Sequence, residues 1–240
     1  MKVARRISVL IPAFNEQEMI SATIDSINRS FEELSWPDFE ILVCDNNSTD
    51  ETSRIAREKG VIVVFEPWNQ ISKARNTAAE HATGEWLIFL DADTMLNSDV
   101  LRHTIERLES GRVCGGSALM RFDRETGLVI KVITAIWNWA SPRIGVAGGA
   151  FVYCSRDAWR AVDGFNETLY VAEDVSFSSR LKRWGRARGL RYVVITEAKL
   201  VTSSRKLDSH GEWGVILHLL RLALPGALRS RQRAGLWYDR

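Results

Sequence analysis

Two carboxylates, Asp91 and Asp93, stand one residue apart at the end of an unbroken apolar run, Trp86-Leu87-Ile88-Phe89-Leu90. At the open end of a buried strand such a pair repels itself unless a cation or a hydrogen-bond donor lies between the acids. A hard divalent ion that also takes phosphate oxygens suits them, because Mg²⁺-type ions are held by carboxylate, phosphate and water oxygens. A solvated turn accounts for the same residues, since Asp is common after strands. A second acidic pair, Glu173-Asp174, opens a helical stretch, where one acid gains from the helix dipole whatever else it does. Lys73 and Arg75 fall in the first turn of another helical stretch, the unfavourable end for a cation. That placement points at least one of them toward an anion such as phosphate, with a solvated face as the reading for the other.

The elements that must position these residues follow from pattern. With 240 residues, 45% of them hydrophobic, the chain can bury a sizeable core. A formal net charge of +2 gives no global pull toward nucleic acid. The three cysteines, Cys44, Cys114 and Cys154, are widely spaced in apolar runs, which predicts reduced buried thiols in a cytoplasmic protein. No apolar stretch is long enough to span a membrane. The short run after Arg6 is broken by Pro12 and reads as a strand, not a secretion signal.

Residues 7–12 form a first buried strand, and residues 16–34 carry apolar side chains at helical spacing. Residues 40–44 are a second strand ending at Asp45. Ser48 with Glu51 three residues on reads as a capping box that opens a helix to about Lys59, and residues 61–65 as a third strand. Ser72 is predicted to cap a helix through Ala82, with Gly84 as its stop before strand 86–90. Beyond Asp93 the rhythm loosens: a helix over 99–108, extended pieces at 115–120 and 148–154, and an apolar stretch 128–140 stopped by Ser141-Pro142. Trp137 and Trp139 in that stretch are expected in the core. A short helix over 155–162, a helix over 173–184 and a late strand at 192–195 complete the order. Strands alternating with helices at this spacing predict an α/β, doubly wound, mainly parallel sheet, at whose carboxyl edge ligands bind.

The ordered set of Ile7-Ser8-Val9-Leu10-Ile11-Pro12-Ala13-Phe14-Asn15-Glu16, Val43-Cys44-Asp45-Asn46-Asn47-Ser48-Thr49-Asp50, Lys73-Ala74-Arg75-Asn76, Leu90-Asp91-Ala92-Asp93, Gly148-Gly149-Ala150-Phe151, Gly164-Phe165 and Glu173-Asp174 resembles a family 2 glycosyltransferase of the GT-A fold. The likeness covers the chain to about residue 195. It implies a single Rossmann-like mixed sheet flanked by helices over 1–205, with a nucleotide-binding half (1–95) and an acceptor half (96–205). It further implies inverting, metal-dependent transfer of a sugar from a nucleotide-diphosphate sugar, a UDP-sugar foremost, to the hydroxyl of a glycan or lipid-linked acceptor. By the same likeness, Pro12, Ala13, Phe14 and Glu16 face the base and ribose, and Asp45 accepts from a uracil imide. Lys73 or Arg75 meets phosphate or base. Asp93 ligates Mn²⁺ or Mg²⁺, Asp91 contacts the ribose or a metal-bound water, Ala92 lies between them, and Asp174 is the catalytic base. Each has a plainer reading: Phe14 as core, Glu16 as a helix-turn acid, the Asp45 loop as an Asx turn.

His210 lies in a polar loop from which related enzymes draw a third metal ligand, and a solvated bystander is the rival reading. Arg205 and Lys206 can close over a diphosphate as a lid. The remainder, 206–240, is apolar over 213–224 and then rich in Arg with Trp237 and Tyr238. Such a tail can lie on the inner face of an anionic membrane, or pack on the domain's own core or a second copy. Two other functions compete. A non-catalytic nucleotide-sugar sensor or scaffold keeps the fold, although Asp91, Asp93 and Asp174 are all present. A sugar-phosphate nucleotidyltransferase needs a glycine-rich loop after the first strand, which Pro12–Glu16 lacks. No G-x-G-x-x-G opens the first helix, which excludes a dinucleotide oxidoreductase.

Overall fold

The molecule is organised by one eight-stranded mixed sheet that runs through both halves of the chain. The computed structural model describes residues 5–146 and 148–205. In chain order the elements are β1 (Ile7–Ala13), α1 (Ile20–Glu33), β2 (Phe39–Asp45), α2 (Thr52–Glu58), β3 (Ile62–Phe65), α3 (Ile71–His81), β4 (Trp86–Leu90), β5 (Thr94–Met95), α4 (Ser98–Glu109), β6 (Val113–Phe122), α5 (Leu128–Ile144), β7 (Phe151–Ser155), α6 (Arg156–Ala161), α7 (Glu173–Arg186) and β8 (Arg191–Thr202). The strand order is β3-β2-β1-β4-β7-β6-β8-β5.

The strands β3, β2, β1 and β4 are parallel neighbours. β1, β2 and β4 read as continuous apolar runs because both of their faces are covered. Along β1, Ile7, Val9 and Ile11 pack with Ile20, Ile24 and Ile27 of α1. Leu10 points the other way, toward Ala74, Ala78 and Ala79 of α3 and Phe177 and Leu181 of α7. β7 enters antiparallel beside β4 and β6, and β6 pairs in parallel with β8.

The last strand dictates the curvature. β5 begins four residues after β4 ends, yet it pairs with β8 at the far edge. Four strand spacings of ~4.8 Å separate those positions in a flat sheet, about 19 Å, whereas four residues of chain reach at most ~14 Å. The sheet therefore curls, bringing the end of β8 beside the Asp91–Asp93 turn. Ser203 N donates to Asp93 O at 3.0 Å, closing that contact.

Several sequence expectations need correction. Ser48 caps no helix: its Oγ accepts from Asn15 N at 3.1 Å, and α2 starts later, at Thr52, beside Asp50, whose Oδ1 accepts from Thr52 N at 3.0 Å. Ser72 is not a cap either, but a fully buried residue inside α3, whose N-cap is Gln70. Pro142 does not stop α5: near a helix end a proline removes only one backbone bond. The helix ends instead where Gly145 turns left-handed (φ 64°) and its N donates to Ser141 O at 2.9 Å. Trp139 is exposed, not core. β8 runs on to Thr202, past the expected end at Ile195, with an irregularity in its pairing with β6 between Ala118 and Leu119.

The cysteines are free and buried as expected, with burial pushing the Cys44 thiol up to about 12 and that of Cys114 up to about 11. No helix among the described residues is long and apolar enough to cross a membrane. His210 and the whole segment 206–240 lie outside the described residues, and with them the expectations placed there.

Candidate active site

The site collects at the carboxyl edge of the parallel strands, where four chain segments are held by side chain-to-backbone bonds. After β1, Asn15 adopts a left-handed conformation (φ 52°), and its Oδ1 accepts from Thr49 N at 2.9 Å. Glu16 N donates to Thr52 Oγ1 at 2.7 Å. The 12–16 loop is thus laced to the 48–52 loop. Asp45, at the end of β2, is buried, and its Oδ1 accepts from Ser48 N at 2.9 Å. The turn thus engages one Asp45 oxygen directly. The Asp91–Asp93 turn is propped from beneath by α1: Thr23 Oγ1 donates to Ala92 O at 2.7 Å.

Arg75 decides how the acids are arranged. Its side chain is 1% exposed. One guanidinium nitrogen donates to Glu173 Oε1 at 2.7 Å, and the other donates to Asp91 Oδ1 at 2.8 Å and to Gly149 O at 2.9 Å. The planar fork of arginine allows these simultaneous contacts. A single cation therefore pins together the end of β4, the 148–150 loop and the start of α7. Neither the phosphate-facing nor the solvated-face expectation describes Arg75, since it is committed to protein acceptors. The sequence signal that locates it is its neighbourhood: Ala74, Ala78 and Ala79 are small and buried, so this helix lies close to the sheet. Lys73, by contrast, points away from the cluster and places Nζ 5.3 Å from the ring centre of the exposed Trp68.

Glu173 and Asp174 occupy the first turn of α7, whose N-cap residue Ala172 is left-handed (φ 59°). Burial pushes Glu173 up to about 7: Arg75 opposes the shift, while the charges of Asp174 and Asp91 add to it. Burial likewise raises Asp174 above the ordinary aspartate range, again opposed by Arg75. Asp174 Oδ1 accepts from Val175 N at 2.8 Å. A Cβ on Gly149 would stand 3.3 Å from Asp174 Oδ2, and Gly149 is left-handed (φ 64°), so a side chain there would both strain the loop and crowd the acid.

Sequence reading undervalued three contributors. Glu173 is not only a helix-turn acid, since it is one of the two carboxylates that neutralise Arg75. Asn76 ties α3 to the 165–167 loop through Nδ2 to Phe165 O and Glu167 Oε1, each 2.9 Å, and through Phe165 N to its own Oδ1 at 2.8 Å. Arg205 pairs with Glu16 and, at 2.8 Å, with Glu18. It thereby joins the end of β8 to the loop after β1.

For a divalent ion, no three His, Cys, Asp or Glu side chains converge among the described residues. The pair Asp91 and Asp93 nonetheless fits a Mg²⁺- or Mn²⁺-type ion, which is commonly held by one or two carboxylates and completed by phosphate and water oxygens. Asp93 is buried, and the Asp91 side chain is 21% exposed.

Comparison with known proteins places the fold and the family. A chondroitin synthase of Escherichia coli is 26% identical over 217 residues, covering 86% of this chain and 31% of that protein. A prophage bactoprenol glucosyl transferase homolog of Escherichia coli K12 is 31% identical over 167 residues, covering 63% of this chain and 53% of that protein. The chain thus spans about a third to a half of these relatives' lengths. Among solved structures, a mannosyltransferase from Pyrobaculum calidifontis, in complex with GDP-Man and Mn²⁺, superposes with a TM-score of 0.70 at 21% identity. That match covers 92% of this chain and 61% of the other. Residues 1–349 of S. aureus TarS, in complex with UDP-GlcNAc, give a TM-score of 0.64 at 18% identity, covering 98% of this chain and 71% of that one. These likenesses establish the GT-A fold. The family model described as Glycosyl transferase family 2 matches residues 8–147, well over half of the chain, and the protein belongs to glycosyl transferase family 2.

Proposed function

We propose that the protein transfers a sugar from a nucleotide-diphosphate sugar, a UDP-sugar in the first instance, to an acceptor hydroxyl with inversion at the anomeric carbon. The observation that carries the proposal is the Arg75 bridge, which sets Asp91 at the end of β4 against Glu173-Asp174 at the start of α7. One bound substrate can then be met by a donor-side acid and an acceptor-side acid at once.

On the donor side, the loop Pro12-Ala13-Phe14 and Glu16 takes the base and ribose, and Asp45 accepts from the base. Asp91 and Asp93, with Ala92 between them, hold Mn²⁺ or Mg²⁺, which when bound offsets charge on the departing diphosphate. The solved neighbours with GDP-Man and Mn²⁺ and with UDP-GlcNAc support a nucleotide sugar as donor. On the acceptor side, Asp174 takes the hydroxyl proton as the new C–O bond forms. Its raised affinity for a proton suits it to that step better than an ordinary aspartate. Glu173 and Gly149 O hold Arg75, and Arg75 holds Asp91, so the two sides keep a fixed separation. The acceptor is a glycan or a lipid-linked acceptor, a reading supported by the names of the chondroitin and bactoprenol relatives.

The test is thermal shift and slow donor hydrolysis with UDP-, GDP- and dTDP-sugars, with and without Mn²⁺. One UDP-sugar should raise the melting temperature only with the metal, and Asp93→Ala should abolish that shift. Metal-independent binding, or binding unaffected by Asp93→Ala, would remove the metal site from the proposal.

A further inference from the structure

The helix α5 presents its apolar side outward. Leu128, Val132, Ile136 and Trp139 are spaced four, four and three residues apart, so they share one face. They are 76%, 49%, 60% and 62% exposed. Within α5 only Ile130 and Ser141 are buried. A contiguous exposed apolar stripe marks a contact surface for a protein or a membrane.

The charges around the stripe decide between those two. From Thr126 to Arg156 the chain carries Lys131, Arg143 and Arg156 and no acid. Arg143 is exposed one turn beyond Trp139, and its guanidinium carbon lies 4.4 Å from the centre of that ring. A cation therefore stands on the apolar face itself. The helix α7 adds more. Lys182 Nζ donates to Ile144 O and, at 3.4 Å, to Gly145 O, which sets α7 against the carboxyl end of α5. Arg186 follows one turn on, along the same side of α7. From Val175 to Thr196 the chain carries Arg180, Lys182, Arg183, Arg186, Arg188 and Arg191, again with no acid. Of these, Arg183, Arg186, Arg188 and Arg191 are exposed.

We propose that the outer face of α5 and the adjoining cations of α7 dock on an anionic phospholipid bilayer. The apolar side chains enter the boundary between headgroups and acyl chains, while the cations meet lipid phosphates. The helix lies in the plane of the surface, since no helix among the described residues is long and apolar enough to cross. A second copy fits less well. Packed parallel, the basic end of α5 would meet the same cations; packed antiparallel, it would meet the positive amino end of the other helix, where Glu125 is already paired with Lys131. A polyanion such as nucleic acid would leave the apolar stripe in water. The docking goes beyond the transferase reading and stands independently of it. The inner side of the same helix carries Trp137, whose Nε1 would lie 2.6 Å from a Cβ on Gly148, and a Cβ on the next residue, Gly149, would lie 3.3 Å from Asp174 Oδ2. A docked α5 therefore holds the 148–149 loop close to the bilayer.

The test uses the full chain with Ile136→Cys carrying the polarity-sensitive dye NBD, a selective label because Cys44, Cys114 and Cys154 are buried. It is titrated with vesicles of phosphatidylcholine mixed with phosphatidylglycerol, and with vesicles of phosphatidylcholine alone. The mixed vesicles should shift the dye emission to the blue, and the neutral ones should not. Arg143→Gln and Arg186→Gln should each raise the lipid concentration at half-saturation about fivefold. Val132→Asp, at an exposed position where folding is undisturbed, should raise it about tenfold or more. Co-sedimentation with the mixed vesicles without a change in the dye would overturn the proposal, because another part of the chain would then make the contact. No binding to the mixed vesicles would also overturn it. So would a blue shift without lipid that grows with protein concentration, the sign of self-association through α5. Half-saturation unmoved by both arginine substitutions would overturn the pairing of the cations with lipid phosphate.

Discussion

At each edge of the parallel sheet a buried carboxylate meets an arginine, exposed Arg6 at one and buried Arg75 at the other, and the two edges use the pairing oppositely. At the amino edge, the single carboxylate of Glu40 is saturated with donors. Ser8 Oγ donates to it at 2.6 Å, Thr83 N at 2.5 Å, Thr83 Oγ1 at 2.9 Å, Gly84 N at 3.2 Å and an Arg6 guanidinium nitrogen at 3.1 Å. Burial alone would raise this acid, but the bonds from Ser8 and Thr83 and the charge of Arg6 outweigh it and hold Glu40 below the ordinary glutamate value. At the carboxyl edge, Asp91 and Glu173 share one buried guanidinium whose charge also acts on Asp174, and Glu173 and Asp174 are both raised. The ratio of donors to acids separates the two edges. An oversupplied acid stabilises the fold, whereas an undersupplied group of acids retains affinity for a proton or a cation.

The largest expected effect lies on the undersupplied side. Asp174→Asn should lower kcat by about 10²–10⁴-fold, the usual contribution of a positioned base, with donor affinity close to that of the parent. Transfer assays and donor titration check the split. Retained kcat would mean that Asp174 takes no proton and that the comparison describes packing only. Arg75→Met comes next. It leaves Asp91 and Glu173 without their shared cation, and removing one partner of a buried pair costs about 3–5 kcal/mol. Urea unfolding should show that loss. A cost near zero would mean that Asp91 and Glu173 are not held together by Arg75.

The sequence makes the two edges unequally legible. Strands β1, β2 and β4 stand out as apolar runs because both faces are covered, and the acids at their ends stand out against that background. Arg75 is harder to place, because its partner Glu173 is 98 residues away and a cation near a helix start usually meets water. The second half of β8 is hidden by the Glu197 and Lys199 side chains and by the pairing irregularity opposite Ala118–Leu119. The curl that carries Ser203 to Asp93 follows from strand order, a global property that no local pattern encodes. α5 misleads in the other direction: its apolar stripe resembles a core helix, yet among the described residues it remains exposed.

On the oversupplied side, Glu40→Gln should cost about 1–3 kcal/mol, the range for disturbing charged buried hydrogen bonds. The sign of the pH dependence is set by the lowered folded value. The folded state binds the proton less readily than the unfolded chain, so this contribution is complete above the unfolded value near 4.5 and is lost as pH falls through the folded one. Unfolding free energy measured from pH 7 downward should therefore fall more steeply in the parent than in Glu40→Gln. Parallel curves would show that Glu40 titrates alike in both states and would erase the contrast between the edges.

The smallest effect tests whether the carboxyl edge also stores backbone strain. Ala172, immediately before Glu173, is held left-handed at φ 59°, a region that costs a residue with a Cβ about 1–2 kcal/mol. Glycine removes that cost but gains freedom in the unfolded chain, which takes back roughly 0.4–1 kcal/mol. Ala172→Gly should then stabilise the fold by up to about 1 kcal/mol, read as a small rise in the urea midpoint. If the left-handed turn serves to aim Glu173 and Asp174, the added freedom should lower kcat at the same time, with KM for the donor unmoved. A stabilised variant with unchanged kcat would show that Arg75 alone aligns the acids and that the strained turn adds nothing.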